Sequence, residues 1–228
     1  MEALLLGLVS AAIGAAITIG VQRFQATWLK RRDTAAEAYG AAVAMHSAVL
    51  SALSLARRIS AAIHARPHDL ADIAQSSGWN LNGHIAASKA RLDKLREARL
   101  NTRSIWGPDV AALFDDYFEL TSAWHNALAV YHDDIDGVAD PDEGVWDPDV
   151  TSFDWRSVRA GTSPHAEAFE REVEQLMDLI RRFARSADVA IMDQMELPPC
   201  VREVVTDYED HRQRRLAVVR QAALPPPE

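Results

Sequence analysis

Residues Ala3 to Val21, ALLLGLVSAAIGAAITIGV, run for nineteen positions without a charge, and only Ser10 and Thr18 carry polar side chains. Both hydroxyls can bond back to their own helix. At 1.5 Å per residue the stretch covers roughly 28 Å, close to the hydrocarbon thickness of a bilayer. It therefore predicts a single membrane-spanning helix. Arg23, Phe24, Trp28, Lys30, Arg31 and Arg32 follow as an expected membrane-interface segment, aromatic anchors succeeded by cations. The leader Met1-Glu2 has no cation, so the positive-inside rule places the N-terminus outside and the rest in the cytoplasm, on the inner membrane. A cleaved secretory signal would open on basic residues rather than Glu2. A soluble core helix seldom runs eighteen residues uncharged.

Small residues recur every four positions in the span, Ala12, Ala16 and Gly20 on one face and Gly7, Ala11 and Ala15 on another. Such rows let two helices approach closely, so a homo-oligomer through Ala12, Ala16 and Gly20 is expected.

Outward from the span, the regular elements of the 228-residue chain read as helices, with no strand-type alternation longer than four residues. Asp33-Thr34 offers a helix start, though nothing forces a break there. Tyr39, Val43, His46, Leu50, Leu53 and Ile63 then recur at helical spacing over 33–63. A second helix spans 81–105, flanked by Arg91, Lys94, Arg96, Arg99 and Arg103. Gly107-Pro108 is a stop followed at once by a start. The third helix, 109–132, carries an apolar seam from Val110 to Tyr131 and ends near His132. A fourth, 164–195, starts at the cap Ser163 or Thr162 and repeats Phe169, Val173, Leu176, Ile180, Phe183 and Ala187 in a 4-3 alternation, the most coiled-coil-like part of the chain. Leu197-Pro198-Pro199 stops it, and a last helix, 199–220, precedes a Pro-rich tail.

The resulting expectation is all-α: a transmembrane anchor with a basic juxtamembrane segment at 1–32, then an up-down antiparallel bundle of four to five helices. The bundle takes in 33–132 and 164–222, interrupted by a long acidic loop at 133–163, and 223–228 is a tail. Short connections make successive helices antiparallel, which puts the acidic loop at the membrane-distal end.

Charge agrees with that layout. The net charge of -9 is concentrated between Ser104 and Trp155, where thirteen Asp or Glu occur with no Lys or Arg. Such a block repels nucleic acid and anionic lipid, so nucleic-acid binding is not expected. The Arg-rich second helix is expected to neighbour the acidic third. Cys200 is the only cysteine, which excludes an intrachain disulfide. The 21 Arg against 3 Lys, with abundant Ala, suit a GC-rich genome, bacterial or phage.

Chemistry-bearing motifs are scarce. There is no phosphate-binding glycine loop, no GxSxG elbow, no HExxH and no paired ExxH, so no catalytic residue, cofactor or metal centre is assigned. The one metal-like pattern lies in the acidic loop, where Asp134, Asp136, Asp140 and Glu143 fall on positions 3, 5, 9 and 12 of a calcium-loop template with Gly137 at the turn. His132 stands at position 1 where Asp belongs, and Pro141 falls where the exiting helix should begin. Flexible connector is the better reading. Trp146, Phe153 and Trp155 stud the same loop and are candidates for docking a protein partner, as is the 4-3 seam of the fourth helix. The functional expectation is a membrane-anchored bundle acting by protein contact as an adaptor, scaffold or regulator. The alternatives are a membrane-perturbing, pore-forming effector whose spans oligomerise, and a hydrolase with an unrecognised active site.

Overall fold

A computed structural model describes residues 2–65, 81–137, 164–189 and 197–222. All elements among these are helices: α1 Glu2–Ala65, α2 Leu81–Trp106, α3 Pro108–Gly137, α4 Pro164–Val189 and α5 Pro199–Ala222. The chain is an all-α bundle.

The expected span and the first bundle helix are one helix, α1, of 64 residues and about 96 Å. No proline occurs in it, and Thr34, which could have capped a new helix, instead donates its hydroxyl to the Lys30 carbonyl at 2.8 Å. Thr18 and Thr27 do the same to Gly14 and Arg23. A threonine bonded to the carbonyl four residues back is a helix-interior residue, so the possible break at Asp33-Thr34 is absent.

Gly107 joins α2 to α3 in a single residue. Its φ of +90° is the left-handed conformation that glycine tolerates. Its N–H donates to the Arg103 carbonyl, closing α2, and its carbonyl accepts from Ala111 N–H, opening α3. Pro198 caps α5 in the same way, its carbonyl accepting from Val201 and Arg202. Helix α3 continues past His132 to Gly137, because nothing in Asp133 to Asp136 breaks a helix and glycine is the first stop signal. The connection after α3 therefore starts later than 133.

Around the core, α1 touches α2 and α4, α2 touches α3, and α3 touches α4, while α5 lies against α3 and α4. Cross-links set the directions. Trp106 at the end of α2 donates its indole N–H to the Arg31 carbonyl at 3.1 Å, Tyr117 reaches Ala42, and Ser88 near the start of α2 meets His125. Arg57 pairs with Glu170 near the start of α4, whereas Phe183 further along α4 meets Trp106. The helices thus alternate up and down. The Arg31 level holds the α2–α3 turn, and the far end holds Arg57 and the first turns of α4.

Which face of α1 is buried differs from the expectation. The core residues are Ala35, Ala38, Ala42, Met45, Val49 and Ala52. Of the stripe read from the sequence, Leu53 is buried, Tyr39, His46 and Leu50 are half-buried, and Val43 is exposed. The true stripe lies about 100° away around the helix. Alanines win because the opposing helices bring large rings: Trp106, Phe114, Tyr117, Trp124 and Phe183 are all buried. Phe183 sits edge-on between Trp106 and Phe114, with centroids 5.2 and 5.7 Å away. Tyr117 crosses the core to place its hydroxyl 3.3 Å from the Ala42 carbonyl, a reach that a bulky residue on α1 would block.

The 4-3 seam of α4 is legible and correct: Phe169, Val173, Leu176, Ile180, Phe183 and Ala187 are all buried. It is spent on the chain's own bundle, so that seam is not a surface for a partner. Phe183→Ala should destabilise the bundle by about 3–5 kcal/mol, as large aromatic truncations in cores do. In a single bundle, unpaired with a second copy, Val43→Ala should cost under about 0.5 kcal/mol, as for other surface positions. Chemical unfolding of the solubilised protein followed by circular dichroism measures both; equal costs would refute the assigned face.

Candidate membrane-facing site

The bundle floor is built where α1 leaves the core. Arg31 lies with its guanidinium 5.7 Å above the Trp106 ring, while its carbonyl accepts that ring's N–H, so one residue grips the indole twice. One position on, Arg32 stacks at 5.1 Å over Trp28 and lies 3.8 Å from Asp33. Cation–π stacking holds both guanidinium groups against aromatic faces. Trp28 and Phe24 are half-buried, whereas Arg23 and Lys30 are exposed. All six expected interface residues therefore fall within three turns of α1, on and just below the floor. Trp106, the residue that anchors Arg31, was not singled out in the sequence; its position immediately before a Gly-Pro turn is the only signal it carries.

From Gln22 back to Ile13 the helix is exposed. Ile13, Ile17, Ile19 and Val21 are each at least half exposed, and the space at Gly14 and Gly20 is open. α1 is the one helix among the described residues long and apolar enough to cross a membrane.

Elsewhere the charges serve packing. Asp115 on α3 pairs with Arg99 and Arg103 of α2, as the opposed charge of those helices predicts. Arg99 also lies 4.4 Å over the Phe118 ring. The neighbouring Asp116 turns to α5, where Arg215 forks between Asp116 at 3.1 Å and Glu172 at 3.0 Å. His211 adds a 2.9 Å contact to the same Glu172 oxygen. Tyr208 donates to the Ala112 carbonyl at 2.9 Å. Burial, reinforced by Asp116, pushes its hydroxyl well above its ordinary range, so it stays a donor. This clasp was missed in the sequence because its members are 43 and 99 residues apart. It docks the final helix on the bundle. Arg215→Ala should cost about 1–2 kcal/mol, reduced from a buried pair by the partial exposure of Arg215. Amide exchange should accelerate in 205–217 before any other segment; uniform acceleration would refute a local clasp.

Ser88 and His125 are 2.7 Å apart, a nucleophile-to-base spacing. Ser88 is fully buried and also hydrogen-bonded to the Ile85 carbonyl, so the pair links α2 to α3. Burial lowers the His125 pKa below its ordinary 6.5, with Lys89 adding to the shift and Asp93 opposing it. The unfolded chain then binds the proton more readily than the folded one, so stability is complete above 6.5 and declines as pH falls below it. His125→Gln should flatten that decline in an unfolding titration, and an unchanged slope would refute the assignment.

Among the described residues no group of three or more His, Cys, Asp or Glu could hold a metal ion. Asp134 and Asp136 lie on the helical last turns of α3, while Asp140, Glu143, Trp146, Phe153 and Trp155 lie outside the described residues. The chain matches no known protein family, no curated protein and no solved structure.

Proposed function

We propose that this chain is a single-pass membrane protein whose helical bundle acts by protein contact, as an adaptor, scaffold or regulator. One observation carries the reading: α1 is packed on one side from Ala35 onward, whereas below it Ile13, Ile17, Ile19 and Val21 are each at least half exposed. Such an exposed apolar stretch belongs in lipid, because leaving Ile13, Ile17, Ile19 and Val21 in water forfeits about 25 cal/mol per Å² of apolar surface. The stacked Arg31 and Arg32 then meet the headgroups on the cytoplasmic side of an inner membrane, with the N-terminus outside. A small-residue row of the span, that of Ala11 and Ala15, lets copies pair there.

The bundle presents its far end to the cytoplasm, and the acidic connection bearing Trp146, Phe153 and Trp155 supplies the docking element. Contact rather than catalysis is favoured because the polar clusters of the bundle are spent on joining helices. The competing effector reading, in which the spans assemble into a pore, requires the membrane potential to fall on induction.

Alkaline extraction of membranes tests the anchor. The full chain should stay with the pellet and a variant lacking residues 2–22 should move to the supernatant; an intact chain in the supernatant overturns the reading. Affinity capture from solubilised membranes should lose its specific protein on deletion of 138–162, and unchanged capture overturns the docking role.

A further inference from the structure

We infer that a second copy of this chain packs in parallel along the free face of α1, as a two-stranded coiled coil that continues from the span up the side of the bundle. The inference rests on the anchored reading, since a shared bilayer is what makes two copies parallel.

Ala26, Leu29, Ala36, Gly40, Val43 and Ser47 stand at alternating spacings of three, seven and four residues that all fall on one heptad seam, with Asp33 between Leu29 and Ala36, and every one is exposed. In heptad terms Ala26, Asp33, Gly40 and Ser47 take position a, and Leu29, Ala36 and Val43 take position d. Among the described side chains Leu29 and Val43, 42% and 40% exposed, are the only large hydrophobics exposed on α1 beyond Val21. Both are d residues. On the opposite side of each heptad, Ala38, Met45 and Ala52 are buried in the chain's own core. The seam therefore points directly away from the bundle, and a second helix laid on it meets no obstruction.

Two further observations identify the occupant as the chain itself. A glycine inside a helix is less stable than alanine there, and nothing lies within 4 Å of where a Cβ on Gly40 would stand, so packing within the chain does not require it. A close helix crossing would. Charge supplies the second. Arg32 is at position g and Glu37 is the following e residue, the two positions that pair across a parallel coiled coil. Arg32 of each copy thus meets Glu37 of the other. Asp33, at a, would face its counterpart, but Arg32 already lies 3.8 Å away in the same chain and both copies bring one.

The same register sorts the small-residue rows of the span. Gly20 precedes Ala38 by eighteen residues, five full turns, so the row through Ala16 and Gly20 comes round beneath the bundle. Ala15 and Ile19 instead extend the seam downward.

Disulfide trapping in isolated membranes tests this with the full chain in a Cys200→Ser background. Val43→Cys should give predominantly cross-linked dimer on mild oxidation, and Glu97→Cys, exposed on α2, at least tenfold less. Adding Gly40→Leu to Val43→Cys should lower the dimer at least fivefold with helicity unchanged. Glu37→Lys should lower it similarly, and Arg32→Glu in the same chain should restore it. Equal cross-linking at 43 and 97, or none at 43, in chains that sediment with the membranes overturns the pairing and leaves the anchor standing. Chains found in the soluble fraction overturn both.

Discussion

An unbroken helix fixes the angular position of every residue along it, and that constraint governs this molecule. Because no proline, cap or glycine stop interrupts α1, the face that enters the bundle at Ala35 determines which face of the preceding turns lies beneath the bundle and which stands clear. Each residue advances by 100°, so the relation is set by counting. Had a cap formed at Asp33-Thr34, span and bundle would have been free to turn independently. The Thr34 hydroxyl bonded to the Lys30 carbonyl excludes it.

The constraint is reinforced where α1 meets the floor. Trp106 ends α2 one residue before the Gly107 turn, and both the carbonyl and the guanidinium of Arg31 act on its ring. The core above works by pairing small with large: an alanine-rich stripe on α1 against rings from the neighbouring helices. Small residues bring the α1 backbone close enough for Tyr117 to reach the Ala42 carbonyl. Burial, with Glu174 nearby, raises the Tyr117 hydroxyl pKa well beyond its usual range, so this cross-link persists as a neutral donor.

Much of this was legible in the sequence. The Gly107-Pro108 junction, the Pro164 and Pro199 starts, the 4-3 seam of α4 and the charge match of α2 with α3 all follow from local spacing and composition. The buried face of α1 was not, since periodicity weights large apolar residues and therefore selected Val43 and Leu50, whereas the structure buries Ala38 and Ala42. An alanine says little about orientation until the ring opposite it is known. The Arg215 clasp escaped for a related reason: a fork between Asp116 and Glu172 depends on three helices meeting, which no local pattern encodes. The interface segment 23–32 was readable because its order, aromatics before cations, is itself a local pattern.

The direct test of the central claim is a spin-label accessibility scan of residues 20–40, one position at a time, in the full chain reconstituted into vesicles at a dilution that keeps the copies apart. A continuous α1 predicts a single 3.6-residue oscillation that passes through 28–34 without a change of phase, with its protected side running from Phe24 through Arg31 to Ala38. A phase slip, or uniformly mobile labels between Gln25 and Asp33, would mean that span and bundle are separate helices, contradicting the account.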